Sequence, residues 1–477
     1  MPIIGHEALS TRRCAELVPN AVVIIGGNPM SSTTLSGASQ KIQEVSAIER
    51  ETMSRVMWRL MPILMVGYFC AYLDRVNTGF AGLTMTKALG FSSTVFGLGG
   101  GIFFIGYLLF EIPSNLLMNR VGARRWIARI LVTWALVSAM TAFVTGPSSF
   151  YGVRFVLGLA EAGFFPGVIL YMTWWFPSHY RARMVSWFMM AIPISNILGS
   201  LVSSPILSMN GFLGLQGWQW LFLIEAVPPI ILGIVVMFYL TDRPSEAKWL
   251  TPAQRQWLTQ RIESEQKQRE AVRHYGLGEA LRSPRVWGLT VGYFGQSMAG
   301  YGLVMFLPQI VHKFGVRVSE VGLITAIPYV FATVFMVWWS MRSDRTGDRV
   351  KHFVIASVMT SMGLVLCLLS DNPLFMLAAL IFAQMGLSSI APTFWPLPTA
   401  MLTGTAAAGG IALINAVGNL GGFFGPYFMG FVQDATGSFQ LGLLALAMST
   451  LVSAGVVVAL GHNRQLERIR SSVEQDA

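Results

Sequence analysis

Twelve stretches of this chain are apolar for about the 20 residues that a helix needs to cross a lipid bilayer. They run roughly over 58–83, 94–118, 126–145, 149–176, 184–207, 218–240, 286–311, 320–340, 352–370, 373–400, 406–432 and 438–460. The runs are continuous rather than alternating, so they predict helices and not barrel strands. Only 12% of the 477 residues are charged, about half the roughly 25% of an average soluble protein. That shortage excludes a disordered chain, a coiled coil and an ordinary soluble enzyme as descriptions of the whole. The fold class expected is an all-α integral membrane protein of twelve transmembrane helices.

The basic residues set the orientation. With both termini placed in the cytoplasm, 28 of the 33 Lys and Arg fall on the cytoplasmic side, and only Lys87, Lys313 and Arg317 fall outside. Positive charge favours the cytoplasmic face, so an even number of spans with both termini inside is expected. The net charge of +10 is therefore read as loop charge on a bilayer, not as a nucleic-acid surface. One long hydrophilic connection, 241–285, separates six spans from six. The expected organisation is a disordered or mis-started tail at 1–52, a six-helix bundle at 53–240, the cytoplasmic linker, a second six-helix bundle at 286–461 and a tail at 462–477. Thr251-Pro252 in the linker has the form of an N-cap followed by Pro at the first helical position.

The two halves echo each other. Asn115-Leu-Leu-Met-Asn119-Arg120-Val-Gly122-Ala-Arg124-Arg125 follows the second span, and Ser340-Met-Arg-Ser-Asp344-Arg345-Thr-Gly347-Asp-Arg349 follows the eighth. Arg120, Gly122 and Arg124 align with Arg345, Gly347 and Arg349, each 225 positions later. Equivalent places in two six-span halves are the mark of an internal repeat.

This repeated loop resembles the Gly-x-x-x-Asp-Arg-x-Gly-Arg-Arg signature of the major facilitator superfamily. Asn115 and Ser340 stand where the signature has Gly, and Asn119 where it has Asp. Tyr72-Leu-Asp74-Arg75-Val-Asn77, Gly106-Tyr107, the run from Arg154 through Glu161 to Pro166, and Ile411 to Gly422 with Asn415 and Asn419 resemble its anion:cation symporter branch, in the tartrate, phthalate and hydroxyphenylacetate flavour. The resemblance implies that the loops at Arg120, Gly122, Arg124 and at Asp344, Arg345, Gly347 gate the cytoplasmic closure.

Ionisable groups inside apolar spans are costly and usually functional. Six stand out, Asp74, Arg75, Glu111, Arg154, Glu161 and Glu225, all in the first half. Arg154 and Glu161 are seven residues apart, two helical turns on one face. Asp74, Glu161, Arg75 and Arg154 sum to zero charge, so an entering anion would add an unpaired charge in a low dielectric, at a cost of several kcal/mol. Burial favours the neutral form of a carboxyl group, and protonating one would free an arginine for the anion. The resemblance implies the same coupling, with Asp74 and Glu161 as proton sites, Arg75 as their switchable partner, and Arg154 and Tyr107 serving the network or the substrate carboxylate. The alternative for these charges is a static lattice that fixes helix packing. Glu111 is expected to tie to the Arg-rich loop, and Glu225 to pair locally. Asn415 and Asn419, four residues apart among glycines, and Gln296 and Trp395 are candidates for a neutral wall, with interhelical glue the alternative. Pro392, Pro396 and Pro398 should interrupt the tenth span.

No phosphate-binding Gly-rich loop with Lys-Ser/Thr and no His-Glu-x-x-His or paired-Cys pattern occurs, and the three cysteines are far apart, so neither an ATP-driven pump, an enzyme, a cofactor nor a metal is expected. The six histidines are placed in tails or loops. The reading reached is a monomeric secondary carrier in a bacterial cytoplasmic membrane that imports a small organic carboxylate with protons. Antiport or drug export on the same fold is one alternative, and a non-transporting membrane sensor another.

Overall fold

A computed structural model of the protein describes residues 24–25, 28–29, 32–270, 282–401 and 405–460. The expected tail at 462–477 and most of the segment ahead of residue 32 lie outside them. The first span belongs to α1, Ser32–Leu89, and the second is α2, Ser93–Val121. The third is α3, Ala123–Met140. The fourth is split into α4, Pro147–Glu161, and α5, Phe164–Trp175. The fifth is split into α6, Ser178–Met189, and α7, Ala191–Leu207. The sixth is α8, Gly217–Tyr239. The linker contributes α9, Pro252–Glu270, and there the Thr251 hydroxyl accepts from the Gln254 N–H at 3.3 Å. The seventh to ninth are α10, Pro284–His312, α11, Val318–Thr346, and α12, Arg349–Leu366. The tenth is α13, Pro373–Phe394, broken at Trp395 before α14, Pro396–Met401. The eleventh is α15, Thr405–Gly418, and α16, Gly421–Thr436, and the last is α17, Gln440–Ala459.

Among the described residues ten helices are long and apolar enough to cross a membrane on length and composition alone. The seventh and eleventh spans fall short of that test for physical reasons. Helix α10 carries Tyr293, Gln296, Ser297 and Tyr301 among glycines, yet its 29 residues reach about 43 Å at 1.5 Å per residue. The eleventh span divides at Asn419-Leu420 into helices of 14 and 16 residues.

Two boundaries differ from expectation. Helix α1 starts at Ser32, within the stretch expected to be a tail; the helix-favouring residues lie in its later part, from Gln40 on, where Glu51 pairs with Arg55 one turn on at 2.8 Å. Glu49 meets His179 at 3.0 Å, and Thr52 and Met53 are buried. His352, expected in a loop, is buried in the first turn of α12, where Asp348 caps the helix by accepting from the Lys351 N–H at 3.1 Å.

Within the first half α1 packs on α7, α2 on α4 and α3 on α8; within the second, α10 packs on α17 and α12 on α13 and α17. The halves meet along α2–α16, α7–α11 and α1–α10. Their tightest contacts are backbone against backbone, at the end of the bundle away from the Arg-rich loops. A Cβ on Gly430 would stand 2.0 Å from the Ser93 carbonyl, one on Gly97 2.2 Å from the Pro426 carbonyl, and one on Gly322 2.1 Å from the Ser200 carbonyl. The Asp434 carboxylate closes this seam by accepting from the Ser93 and Thr94 N–H groups at 2.8 and 2.7 Å. It thereby caps α2 from the other half of the molecule.

A helix cap of this kind is worth about 1 kcal/mol. Asp434→Ala should therefore shift the balance between closed and open far ends toward open by about fivefold. The check is the separation of spin labels at Lys87→Cys and Gln440→Cys, whose long-distance population should grow; an unchanged distribution would refute the role of the cap.

Candidate functional site

The site grows from two dipeptide-scale decisions in the sequence. Asp74 and Arg75 are adjacent on α1, so their side chains leave on different faces of the helix. Asp74 points toward α3 and accepts from the Ser138 hydroxyl. Arg75 points toward α4 and α10: Nη2 meets Glu161 Oε1 at 2.6 Å, and Nη1 donates to the Tyr301 hydroxyl at 3.2 Å. The ion pair therefore ties α1 to α4 within the first half, and the tyrosine bond reaches across to the second.

Glu161 is the last residue of α4. The helix stops there because Gly163 takes a left-handed φ of 89°, which only glycine adopts freely. A Cβ on it would also stand 2.1 Å from the Ser114 hydroxyl of α2. Glu161 is almost completely buried and its Oε2 has no hydrogen-bond partner. Two turns earlier Arg154 is buried too, with Nε unpartnered. Asp74 and Glu161 are the two carboxylates whose charge reaches Arg154. The Phe103 ring of α2 faces both guanidinium groups, 5.5 Å from Arg75 and 5.4 Å from Arg154. Tyr72 and Tyr301 cover Arg75 further, at 4.7 and 5.8 Å.

From Phe103 a stripe at intervals of four runs down α2 through Tyr107 to Glu111. Tyr107 is buried, with its ring 5.9 Å from that of Phe103. Glu111 does not tie to the Arg-rich loop. Its Oε1 accepts from Asn415 Nδ2 at 3.0 Å, Asn415 Oδ1 accepts from Asn419 Nδ2 at 3.2 Å, and Asn419 Oδ1 accepts from the Tyr293 hydroxyl at 3.4 Å. This chain crosses from the first half to the second. The Trp395 ring lies edge-on to Tyr293 at 4.9 Å, and half-buried Gln296, three residues after Tyr293, has an unpartnered Oε1. The structure thus brings Asp74, Arg75, Arg154 and Glu161 into one cluster. It brings Asn415, Asn419, Tyr293 and Trp395 into a second, with Tyr107 on the α2 stripe between them. Glu225 makes no contact with either cluster, although the charge of Asp74 reaches it; it accepts from Ser203 at 3.4 Å, while that hydroxyl also lies 3.3 Å from Asn77 Oδ1.

The repeated loops differ in how they are held. Gly122, at φ 96°, ends α2, and Asp242, just beyond α8, accepts from the Arg124 N–H at 2.7 Å. Asp242 fills the place left by the missing acid at position 119. In the second copy Gly347 has φ 65°, and Asp344 pairs with Arg349 at 3.3 Å. Arg120 and Arg345 are exposed.

Sequence reasoning missed Phe103, Ser138, Tyr293 and Asp242. The α2 stripe of Phe103, Tyr107 and Glu111 at spacing four was the available signal for the first. Nothing in the local sequence around the other three points to their partners, which lie 64, 126 and 118 residues away.

Two half-bundles related by an internal repeat, with buried charged and polar groups between them, have the architecture of a membrane carrier. The family model of the Major Facilitator Superfamily matches residues 64–426 and 289–475, and the chain belongs to that superfamily. It is 49% identical over 416 residues to an Agrobacterium vitis protein named "Putative tartrate transporter", covering 87% of this chain and 92% of that one. It is 38% identical over 421 residues to an Acinetobacter baumannii protein named "Quinolone resistance transporter", covering 88% and 96%. Among solved structures a D-xylose-proton symporter shares the fold at a TM-score of 0.69 and 15% identity, over 86% of this chain and 99% of that one. The protein is a transporter and not an enzyme.

Proposed function

We propose that this transporter is a proton-coupled symporter that takes up a small organic carboxylate, of the tartrate kind or a related hydroxy or aromatic acid. It works as a monomer in a bacterial cytoplasmic membrane with both termini inside, and the proton is its coupling ion in place of any cofactor or metal. The observation that carries this reading is the 2.6 Å Arg75–Glu161 pair beside a second buried arginine, Arg154. An anion that seeks Arg75 competes with Glu161 for it. A proton taken up on Glu161 removes that competition and frees Arg75 Nη2 for a substrate carboxylate. Asp74, held by Ser138, is the second acid that can accept a proton, which leaves Arg154 free in turn. Charge is then conserved inside the low-dielectric site, because each negative charge that enters is matched by a proton. Tyr107, Gln296, Asn415, Asn419 and Trp395 give the solute hydrogen-bond partners and a flat wall. The loops at Arg120, Gly122, Arg124 and at Asp344, Arg345, Gly347 then close the basic end.

The name of the Agrobacterium vitis relative supports a tartrate-like solute. The Acinetobacter baumannii relative's name favours export instead, and one experiment separates the two. Proteoliposomes with an acid exterior should accumulate labelled tartrate, or another carboxylate found by a thermal-shift screen, and lose it when a protonophore is added. Accumulation driven by an acid interior would establish antiport. Ligand binding with no flux in either gradient would establish a sensor.

A further inference from the structure

At the basic end of the second half, a cavity of about 560 Å³ opens between α11 and α12. Its walls include Trp338, Arg342, Thr346 and Gly347 from the end of α11 and the loop, and Lys351 and His352 from α12. Arg342 and Lys351 are exposed, and the Arg342 guanidinium lies 5.8 Å from the Trp338 ring. The other polar groups are engaged by the protein itself. Asp348 caps α12, His352 Nδ1 lies 2.7 Å from the Asp348 carbonyl, and the neighbouring Trp339 indole N–H donates to the His352 carbonyl at 3.2 Å. Within two helical turns of the lining residues on the same two helices, Val334, Val337, Met341, Val358 and Met362 are exposed.

The internal repeat sharpens the case. Subtracting 225 from Arg342 and Lys351 gives Leu117 and Trp126. The corresponding turn of the first half carries apolar residues at these two places, so the cations belong to the second copy alone. Two cations and a tryptophan at the rim of an exposed apolar wall match a molecule with an anionic head and hydrocarbon tails. A free inorganic anion would gain nothing from that wall.

We propose that this cavity holds the headgroup of an anionic phospholipid, with Arg342 and Lys351 on its phosphodiester and the Trp338 face against its glycerol and upper acyl chains. Basic pockets between transmembrane helices are known to take such headgroups. Because Gly347 and Asp348 line the same cavity, a bound lipid would bear directly on the turn between α11 and α12. The proposal stands whatever the transported solute is.

The test is titration of the purified full chain in detergent with short-chain phosphatidylglycerol and with phosphatidylcholine, read by native mass spectrometry. Each cation contributes about a fivefold factor near an anionic headgroup, so Arg342→Gln with Lys351→Gln should weaken phosphatidylglycerol binding about twenty-five-fold and leave phosphatidylcholine unchanged. Both residues are exposed, and an unaltered thermal unfolding profile would show that the double variant is folded; if it is not, Lys351→Gln alone should still weaken binding about fivefold. Equal affinity for the two lipids in the unaltered protein would overturn the proposal. So would undiminished phosphatidylglycerol binding by a folded variant, or displacement of the lipid by millimolar inorganic phosphate, which would mark a free-anion site.

Discussion

Glu161→Gln abolishes accumulation while leaving exchange. In proteoliposomes with a one-unit pH difference, acid outside, each coupled proton supplies about 1.4 kcal/mol, and hence about a tenfold inward gradient of solute. The variant should show an inside-to-outside ratio of one at the same pH difference. Counterflow of labelled against unlabelled substrate should persist at a tenth or more of the original rate. The physical reason lies in the Arg75–Glu161 contact at 2.6 Å. Glutamine has the shape of a protonated glutamate and carries no charge, so Arg75 is free in every cycle and the site no longer distinguishes a protonated from an unprotonated state. Glutamine matches glutamate in size and can keep its oxygen toward Arg75, and no hydrogen bond to Glu161 Oε2 is lost, so the fold should tolerate it. A variant that still concentrates substrate against the gradient would remove Glu161 as an obligatory proton site and place the coupling on the remaining buried acids, Asp74 first among them. Loss of both accumulation and exchange, in a folded protein, would point to a structural lattice instead.

The fold was legible because the bilayer imposes it. A segment must be long, apolar and helical to cross, and the basic loops must alternate, so composition and charge carry the topology almost unaided. Broken helices were legible only where a residue cannot be helical. Pro396 announced the stop after Phe394, but nothing local announced that the fourth span ends at Glu161, where Gly163 alone takes a left-handed conformation. The buried charges were visible for the same reason the spans were: each is an exception to an otherwise apolar run. Their partners were not. Asp74 with Ser138 and Glu111 with Asn415 are pairings between helices, and a serine or an asparagine in a membrane helix is too common to be singled out without its neighbour. The expectation that Glu111 tied to the adjacent loop failed on this point, since nearness in sequence is a poor guide when helix faces decide who meets whom. Asp242 shows the converse: an acid absent from the loop motif is supplied from the end of a helix packed beside it.

Gly97→Val should reduce transport more than ten-fold, and by a route that leaves the binding chemistry intact. Gly97 lies on α2 where a Cβ would stand 2.2 Å from the Pro426 carbonyl and 3.4 Å from the Tyr427 Cα of α16. Those are backbone atoms, so no side chain can swing aside, and the two helices must separate by an ångström or more. The seam between α2 and the eleventh span, α15 with α16, extends from the Asp434 cap at Ser93 to the Asn415 bond at Glu111, about 27 Å along the helix at 1.5 Å per residue. A wedge near one end strains the whole length, because packed interfaces switch between discrete arrangements rather than bend. Overpacking of this kind typically costs 1–3 kcal/mol, a bias of up to about a hundredfold against the closed far end. A carrier that cannot close that end still binds solute from it but cannot deliver it. The expected signature is therefore a substrate affinity within about threefold of the original in a thermal-shift titration, with uptake and exchange both lost. This differs from Glu161→Gln, which spares exchange, and from Asp434→Ala, which loosens the seam without wedging it. Normal uptake by Gly97→Val would show that the halves need not meet this closely during the cycle.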